Sequence, residues 1–377
     1  MIPHVYNSLR RLLLLTIVSA LVLTPALAQT PCPVASPVPM EAPHLEELAL
    51  LIQQTVPQPQ PAPKPLPAPH PQVAEQPDVV TAVYDVEKRK FVDKTFKVSR
   101  ADMLNIENRF GKVHINTWDK NEMHVRVDII ARAGTDSRAQ EILNSIRVME
   151  SREGGTVSFR TDIEPMRFSG SGSRSFEVNY TISMPEENPL TVKNSFGDVY
   201  LAAFKGKADI SVKHGSLKCE RLGNTGNTVK LAYGSGSCGY INGGSIDVAY
   251  ADMNVGGATG FHGSSKFSDF KVGSLSETME MDVKYGSFKV DNISRNIRKI
   301  ALDSGFTPIS LSFDANTAFN FDVSVQFADF KYDKSQVNIT SLEKSHTSAA
   351  YKGEYGGSSP KGLVSINSKY GEVRFTK

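Results

Sequence analysis

The chain has little charge imbalance, few cysteines, one tryptophan and one long apolar run, and each scarcity narrows what it can do. Lys and Arg total 42 against 40 for Asp and Glu. Arg10 and Arg11 fall in an N-terminal segment that reads as a leader, so the remainder balances at 40 against 40. Without net positive charge, bulk electrostatics give no footing for a nucleic-acid partner. Metal and hydrolase signatures are missing as well. His214, His262 and His346 stand isolated, with no H-E-x-x-H and no G-x-S-x-G. The carboxylates Asp198, Asp209, Asp247, Asp252, Asp269, Asp282 and Asp291 are scattered, with no D-x-D-x-D-G calcium loop and no nonapeptide calcium repeat. No catalytic, cofactor-binding or metal-ligating residue is therefore predicted, and no cofactor.

The one apolar run is Leu12–Leu23, preceded by Arg10 and Arg11 and followed by Ala26-Leu27-Ala28 before Gln29. That order reads as a signal peptide, 1–28. The run is short for a membrane span, and no later segment is apolar enough to cross a bilayer, so the mature chain is expected to have no transmembrane span. Cys32 lies just beyond, but Pro31 before it is the wrong neighbour for lipoprotein processing. Residues 29–82 read as a Pro-rich linker. Within it, 44–54 (HLEELALLIQQ) carries Leu45, Leu48, Leu51 and Ile52 at helical spacing. The alternating prolines of Val56–Gln72 enforce an extended spacer of roughly 50 Å.

What the chain has in abundance is one short pattern. Met279–Val290 reads MEMDVKYGSFKV: alternating apolar residues, an aromatic, a corner glycine, then two more apolar positions. Glycine suits such a corner because it adopts dihedrals other residues avoid. Leu190–Leu201, Ala208–Cys219 and Val229–Cys238 repeat the pattern, and Ile246–Val255 and Phe267–Val272 do so with Ala251 and Ser268 at the corner. Leu104–Ile115, Phe321–Tyr332, Val364–Phe375 and a degenerate copy around Gly305 complete the set. Corners at 197, 215, 234, 251, 268 and 286 recur every 17–19 residues, the signature of a solenoid whose repeats bury apolar faces only against neighbours. The fold class expected is all-β: a β-solenoid of stacked parallel coils of about 18 residues, with one short helix near its N-terminal end, occupying 96–377.

Phe96, Val98, Leu104, Ile106, Phe110, Val113 and Ile115 are expected in the first coil, with Trp118 capping it and a strand at Met123–Ile129. A helix follows, capped by Thr135 or Asp136, with Ala139, Ile142, Leu143 and Ile146 as its apolar stripe; packed on a terminal coil it would protect an open edge. Val157–Thr161 and Phe176–Met184 read as strands around a loop, Ser169–Arg174. From Leu190 the coils are expected to run in order to the end. Gly234-Ser235-Gly236-Ser237-Cys238-Gly239 satisfies G-x-G-x-x-G, but it sits inside a coil with no helix to follow, which excludes a dinucleotide site. Cys219 and Cys238 each stand four residues after a corner, an inward slot on adjacent coils, and are expected buried, as free thiols in preference to a disulfide, which export permits but in-register stacking fits poorly. The aromatics preceding the corners, from Phe110 to Tyr370, share the phase of core positions such as Val283. A ladder of rings inside the coils is expected, a sugar-stacking groove being the alternative. Outward files carry Lys193, Lys213 and Lys284.

The run Phe96–Val125, the helix Ser137–Ile146, NYTISMP (Asn179–Pro185) and the repeated YG-S/D coils together resemble the putative adhesin family of secreted bacterial β-solenoid proteins, a domain of unknown function frequent in Bacteroidetes-type envelopes. The resemblance spans Phe96 to Lys377 and lies in the order of elements. It implies an exported protein of the periplasm or cell surface, and a non-enzymatic binding or scaffolding module. Its partners would be envelope or extracellular polysaccharide or a surface protein. The family has no established catalytic residues, so none carry over. The alternatives are a polysaccharide-active enzyme, which a groove holding carboxylates and basic groups would support, and an accessory to an envelope-sensing or export system docked through the helix at 44–54.

Overall fold

The computed structural model describes residues 86–165, 173–357 and 360–377, within the compact unit Val79–Lys377. The expected signal peptide, Cys32, the expected linker and the helix expected at 44–54, and most of the Ser169–Arg174 loop lie outside the described residues. What is described is all-β, with strands in one open sheet and one helix.

Each repeat places one strand before its corner and one after it, and the strands of neighbouring repeats pair in parallel. Leu190–Ser195 lies beside Ala208–Lys213, which lies beside the first part of Thr228–Ile241. After the corner, Val199–Leu201 lies beside Ser216–Leu222, and that beside the second part of Thr228–Ile241. Ser245–Ile293 then stays extended through three further corners. Alternation decides which side chains go in. In Gly362–Lys369 every second residue is buried, and the same period places Val192, Ile210, Val229 and Ile246 in the core. The residues two and four beyond the corner glycine also point inward, as at Leu217 and Cys219 or Phe288 and Val290. A third row, Phe204, Leu222, Ile241, Ala258, Leu275 and Ile293, closes the core along the turns that join one repeat to the next.

The expected chain order of the coils fails at both ends. Met103–Arg109 pairs with Thr156–Ile163 on one side and Leu190–Ser195 on the other, and Val113–Trp118 lies between Arg174–Pro185 and Val199–Leu201. The first repeat is thus the second layer. At the other end Gly362–Lys369 lies between Lys299–Gly305 and Phe319–Gln326, so the last repeat in the chain is the penultimate layer. A parallel ladder accepts any segment of the right phase, so period predicts that a repeat exists but not where it inserts.

The ends of the stack switch to antiparallel pairing. Val86–Lys97 pairs with Glu122–Ala133, and that with Arg174–Pro185; Ile146–Glu153 pairs with Thr156–Ile163. At the far end Val337–Lys344 pairs with Ser348–Tyr355, and that with Phe319–Gln326. Phe96 therefore belongs to an antiparallel cap strand rather than to the first coil. The helix, Asp136–Ser145, starts after Thr135, whose hydroxyl accepts from the Arg138 N–H at 3.4 Å. It buries Ala139, Ile142 and Leu143 against the cap strands, while Ile146 opens the next strand.

Candidate functional site

The pattern at the corners dictates a site that runs the length of the stack. Ten aromatic residues have positive φ, between 51° and 60°: Phe110, Phe196, His214, Tyr233, Tyr250, Phe267, Tyr285, Phe306, Phe327 and Tyr370. It is the aromatic, and not the following glycine, that takes the left-handed backbone. Where the following residue is glycine it serves a different purpose, although Ala251, Ser268 and Thr307 fill the same position at other corners. A Cβ on Gly215 would lie 2.1 Å from the Gly197 carbonyl oxygen, and one on Gly234 1.9 Å from that of Gly215. At these glycine corners the layers touch backbone to backbone. In the degenerate copy the corner position is Thr307, after Phe306; Gly305 aligns instead with Lys284 in the preceding strand.

A left-handed residue breaks the two-residue alternation. Val283 is buried, yet Lys284 and Tyr285 both remain outside. The expectation of a ring ladder inside the core is thus wrong in its side: the ladder exists, but on the surface. Eight of the rings are 46–52 % exposed. Neighbouring rings lie parallel, tilted by 2–9°, with centroids 4.6–5.2 Å apart, in the order Phe110, Phe196, His214, Tyr233, Tyr250, Phe267, Tyr285, Phe306, Tyr370, Phe327. Each face inside the file is covered by the next ring, leaving edges toward solvent. A sugar ring stacking face-on has no free face within the file.

The energetics do not explain aromatics at every corner. A left-handed residue with a Cβ costs roughly 1–2 kcal/mol, and an aromatic pair contributes about 0.5–1.5 kcal/mol. The two are of the same size. Asn or Gly would take the backbone with less strain, so the corner itself does not demand exposed rings.

Hydrogen bonds tie the layers beside the file. The Ser216 N–H and Oγ donate to Asp198 Oδ1 at 2.9 and 2.7 Å, and Ser287 Oγ donates to Asp269 Oδ1 at 2.6 Å. The Ser216 hydroxyl bond, more than any charge, holds the Asp198 carboxyl below its usual range. Lys213 and Lys284 each stand one residue before a ring, whereas Lys193 stands three before and belongs to another file.

A second feature is a groove of about 1070 Å³ on the outer face of the pre-corner strands. Asp247, Glu280, Asp282 and Asp303 line it together with Arg298 and Lys299. Most of its charges are already paired: Arg298 with Glu277, Lys299 with Glu280 at 3.2 Å, and Asp247 with Ser264 Oγ at 2.8 Å. Linear order hides this gathering, because its members come from different layers. Among the described residues no three His, Cys, Asp or Glu are placed to hold a metal ion.

The other singled-out residues are placed as follows. Cys219 and Cys238 are opposite each other on adjacent strands, buried and unbridged; their mutual hydrogen bond and burial push the Cys219 thiol pKa up. Leu201 and Val255 continue their file. The G-x-G-x-x-G run lies within the strand Thr228–Ile241, where a Cβ on Gly236 would meet the Met253 sulfur at 2.4 Å. Trp118 ends the strand Val113–Trp118 and donates from its indole to the Glu122 carbonyl at 2.7 Å.

No family model and no curated protein matches the chain. Solved structures that do match include a "putative cell adhesion protein" from Clostridium sporogenes, 11% identical, covering 77% of this chain and 99% of that one, TM-score 0.21. A "putative adhesin" from Parabacteroides distasonis is 9% identical over 76% and 97%, TM-score 0.35. A "putative lipid binding protein" from the same organism is 12% identical over 76% and 97%, TM-score 0.25. Among the described residues no helix is long and apolar enough to cross a membrane.

Proposed function

We propose that the stacked parallel repeats form a β-solenoid of an exported envelope protein, and that it is a non-catalytic, adhesin-like binding or scaffolding module. The carrying observation is the external ridge of ten stacked rings, eight of them about half-exposed although the left-handed corners do not need them. An exposed apolar feature of that length marks an interaction surface. Its repeat near 4.8 Å suits many weak contacts made in parallel rather than one tight pocket. The test is retention of the protein on cell-wall and exopolysaccharide fractions, with protease shaving of expressing cells for surface exposure. Retention without release of reducing ends is expected; no retention on any fraction would remove the polymer-binding reading.

The groove favours a second reading, a polysaccharide-active enzyme, because carboxylates and basic groups meet there. Its sign would be sustained release of reducing ends that disappears in Asp303→Asn or Asp282→Asn.

A further inference from the structure

The residues beside the ring ladder are sorted by charge. On the side of the pre-corner strand, the position immediately before the ring carries Arg109, Lys213, Lys266, Lys284 and Lys369, and no acid at any corner. On the other side, two residues after the ring, stand Asp198, Asp252, Asp269, Asp329 and Glu372, with Lys112 at the first corner as the one base. The remaining flanking positions are small or uncharged, among them Ala232, Ala249, Ser216 and Ser235. Among the described residues Lys213, Lys266, Lys369 and Asp252 make no ion pair, while Lys284 pairs with Asp282 at 3.2 Å and Glu372 with Lys331 and Arg374. The ridge is therefore apolar along its crest, basic on one slope and acidic on the other.

From this we infer that the ridge is a docking surface for a second copy of the same chain, with the two ladders packed side by side and pointing the same way. The argument is one of symmetry. Two copies can face each other ridge to ridge through a two-fold axis either along the stack or across it. An axis across the stack makes the ladders antiparallel and sets basic slope against basic slope. An axis along the stack makes them parallel and sets each basic slope against the partner's acidic one, with Lys266 level with the partner's Asp269 and Lys369 with the partner's Glu372, and one like-charge meeting, Arg109 with the partner's Lys112, at the first corner. Like-charge juxtaposition costs several kcal/mol, which selects the parallel arrangement. Nine steps near 4.8 Å give a ridge on the order of 45 Å long. With both slopes included, the face approaches the roughly 800 Å² per partner of a specific interface. The parallel arrangement also brings both copies' N-terminal ends to the same end, as for neighbours side by side on one surface.

The inference rests on reading the ridge as an attachment surface and names its occupant. Its test is sedimentation velocity of the full chain, without any envelope polymer, from about 1 to 100 µM, the weak end of what an interface of this size gives. A monomer–dimer equilibrium is expected. Tyr233→Asn with Tyr250→Asn removes two rings while keeping residues that accept a left-handed backbone, and should weaken dimerisation about tenfold or more. Lys213→Glu with Lys266→Glu and Lys284→Glu should weaken it too, and adding Asp198→Lys, Asp252→Lys and Asp269→Lys should restore it. Circular dichroism verifies that each variant is folded. In a mixture of Ala232→Cys chains with Ser235→Cys chains, a disulfide-linked dimer is expected between the two variants. A monomer at all concentrations, a dimer indifferent to the ring variants, or a charge swap that fails to restore association would overturn the inference. A monomer still retained on cell-wall polymer would sink the dimer and leave the attachment reading standing; a dimer retained on no fraction would do the reverse.

Discussion

At the glycine corners a hydrogen-to-methyl change presses the new carbon against the backbone of the next layer, although corners such as Ala251 and Ser268 are built to hold a Cβ. The Cβ of Gly215→Ala would sit 2.1 Å from a backbone oxygen that no rotamer change can move. Overpacking of this kind costs at least about 1–3 kcal/mol, and here it strikes both strands of the layer. A lowered midpoint in chemical unfolding is expected for Gly215→Ala, whereas Tyr233→Asn, at the neighbouring file, should unfold within about 1 kcal/mol of the parent because strain relief and lost stacking are of like size. Equal midpoints for the parent and Gly215→Ala would contradict the close approach. The residue pattern alone disclosed the corner and the aromatic file. It misplaced the rings because alternation counted from Val283 carries Tyr285 inward, and only the positive φ, invisible in a sequence, turns the ring out. Cys219 and Cys238, which involve no such turn, fall in the inward slot the spacing indicates.

The elements at the N-terminal end contain one buried hydroxyl whose titration reports on their packing. Tyr180, in the strand Arg174–Pro185, is nearly inaccessible and bonds to Thr161 Oγ1 at 2.9 Å, and Thr161 in turn donates to Asn108 at 2.8 Å. Burial pushes its pKa up from 10.0 to about 12. Above pH 10 the unfolded chain releases this proton while the folded chain keeps it, so stability present below pH 10 is lost as pH rises toward 12. The loss attributable to this group is about 2–3 kcal/mol. Denaturant titrations at rising pH should show a steeper decline for the parent than for Tyr180→Phe, and parallel curves would mean the hydroxyl is not buried.

The C-terminal repeat makes the corresponding case at the other end. Gly362–Lys369 and Val373–Thr376 each have strand neighbours on both sides. A chain ending at Gly357 would leave Lys299–Gly305 and Phe319–Gln326 with open edges, and such edges aggregate. Low soluble yield is expected, raised by adding a peptide of residues 360–377; a soluble truncated chain with unchanged circular dichroism would show the repeat to be dispensable. The strands of the repeats and the helix were legible from period and capping residues, whereas Ile146–Glu153 and Val337–Lys344, exposed along most of their length, carry no buried alternation to read. The order of the repeats was not legible, because each ladder is held by backbone hydrogen bonds that carry no address, and the phase of 364–375 fits any gap between layers equally.

Over the whole molecule, the same insertion sets where opening starts. A stack of repeats with neighbour-only contacts frays from its ends. Here neither the first nor the last repeat of the chain is an end layer, since Val113–Trp118 and Gly362–Lys369 each lie between two others. The outermost strands include Val86–Lys97, covered in part by the helix, and Ile146–Glu153 and Val337–Lys344, most of whose residues are exposed and each of which pairs on one side only in the described structure. Exchange of amide hydrogens should therefore not follow chain position. Amides of Val113–Trp118 and Gly362–Lys369 should be protected to the same order as those of Ala208–Lys213 in the middle of the stack. Val337–Lys344 and Ile146–Glu153 should exchange first, and Val86–Lys97 next, slowed where Asp136–Ser145 packs on it. Fast exchange of Gly362–Lys369, only a few residues from the chain terminus, would mean that the last repeat leaves its slot independently and that the two layers around it are held together by the cap alone.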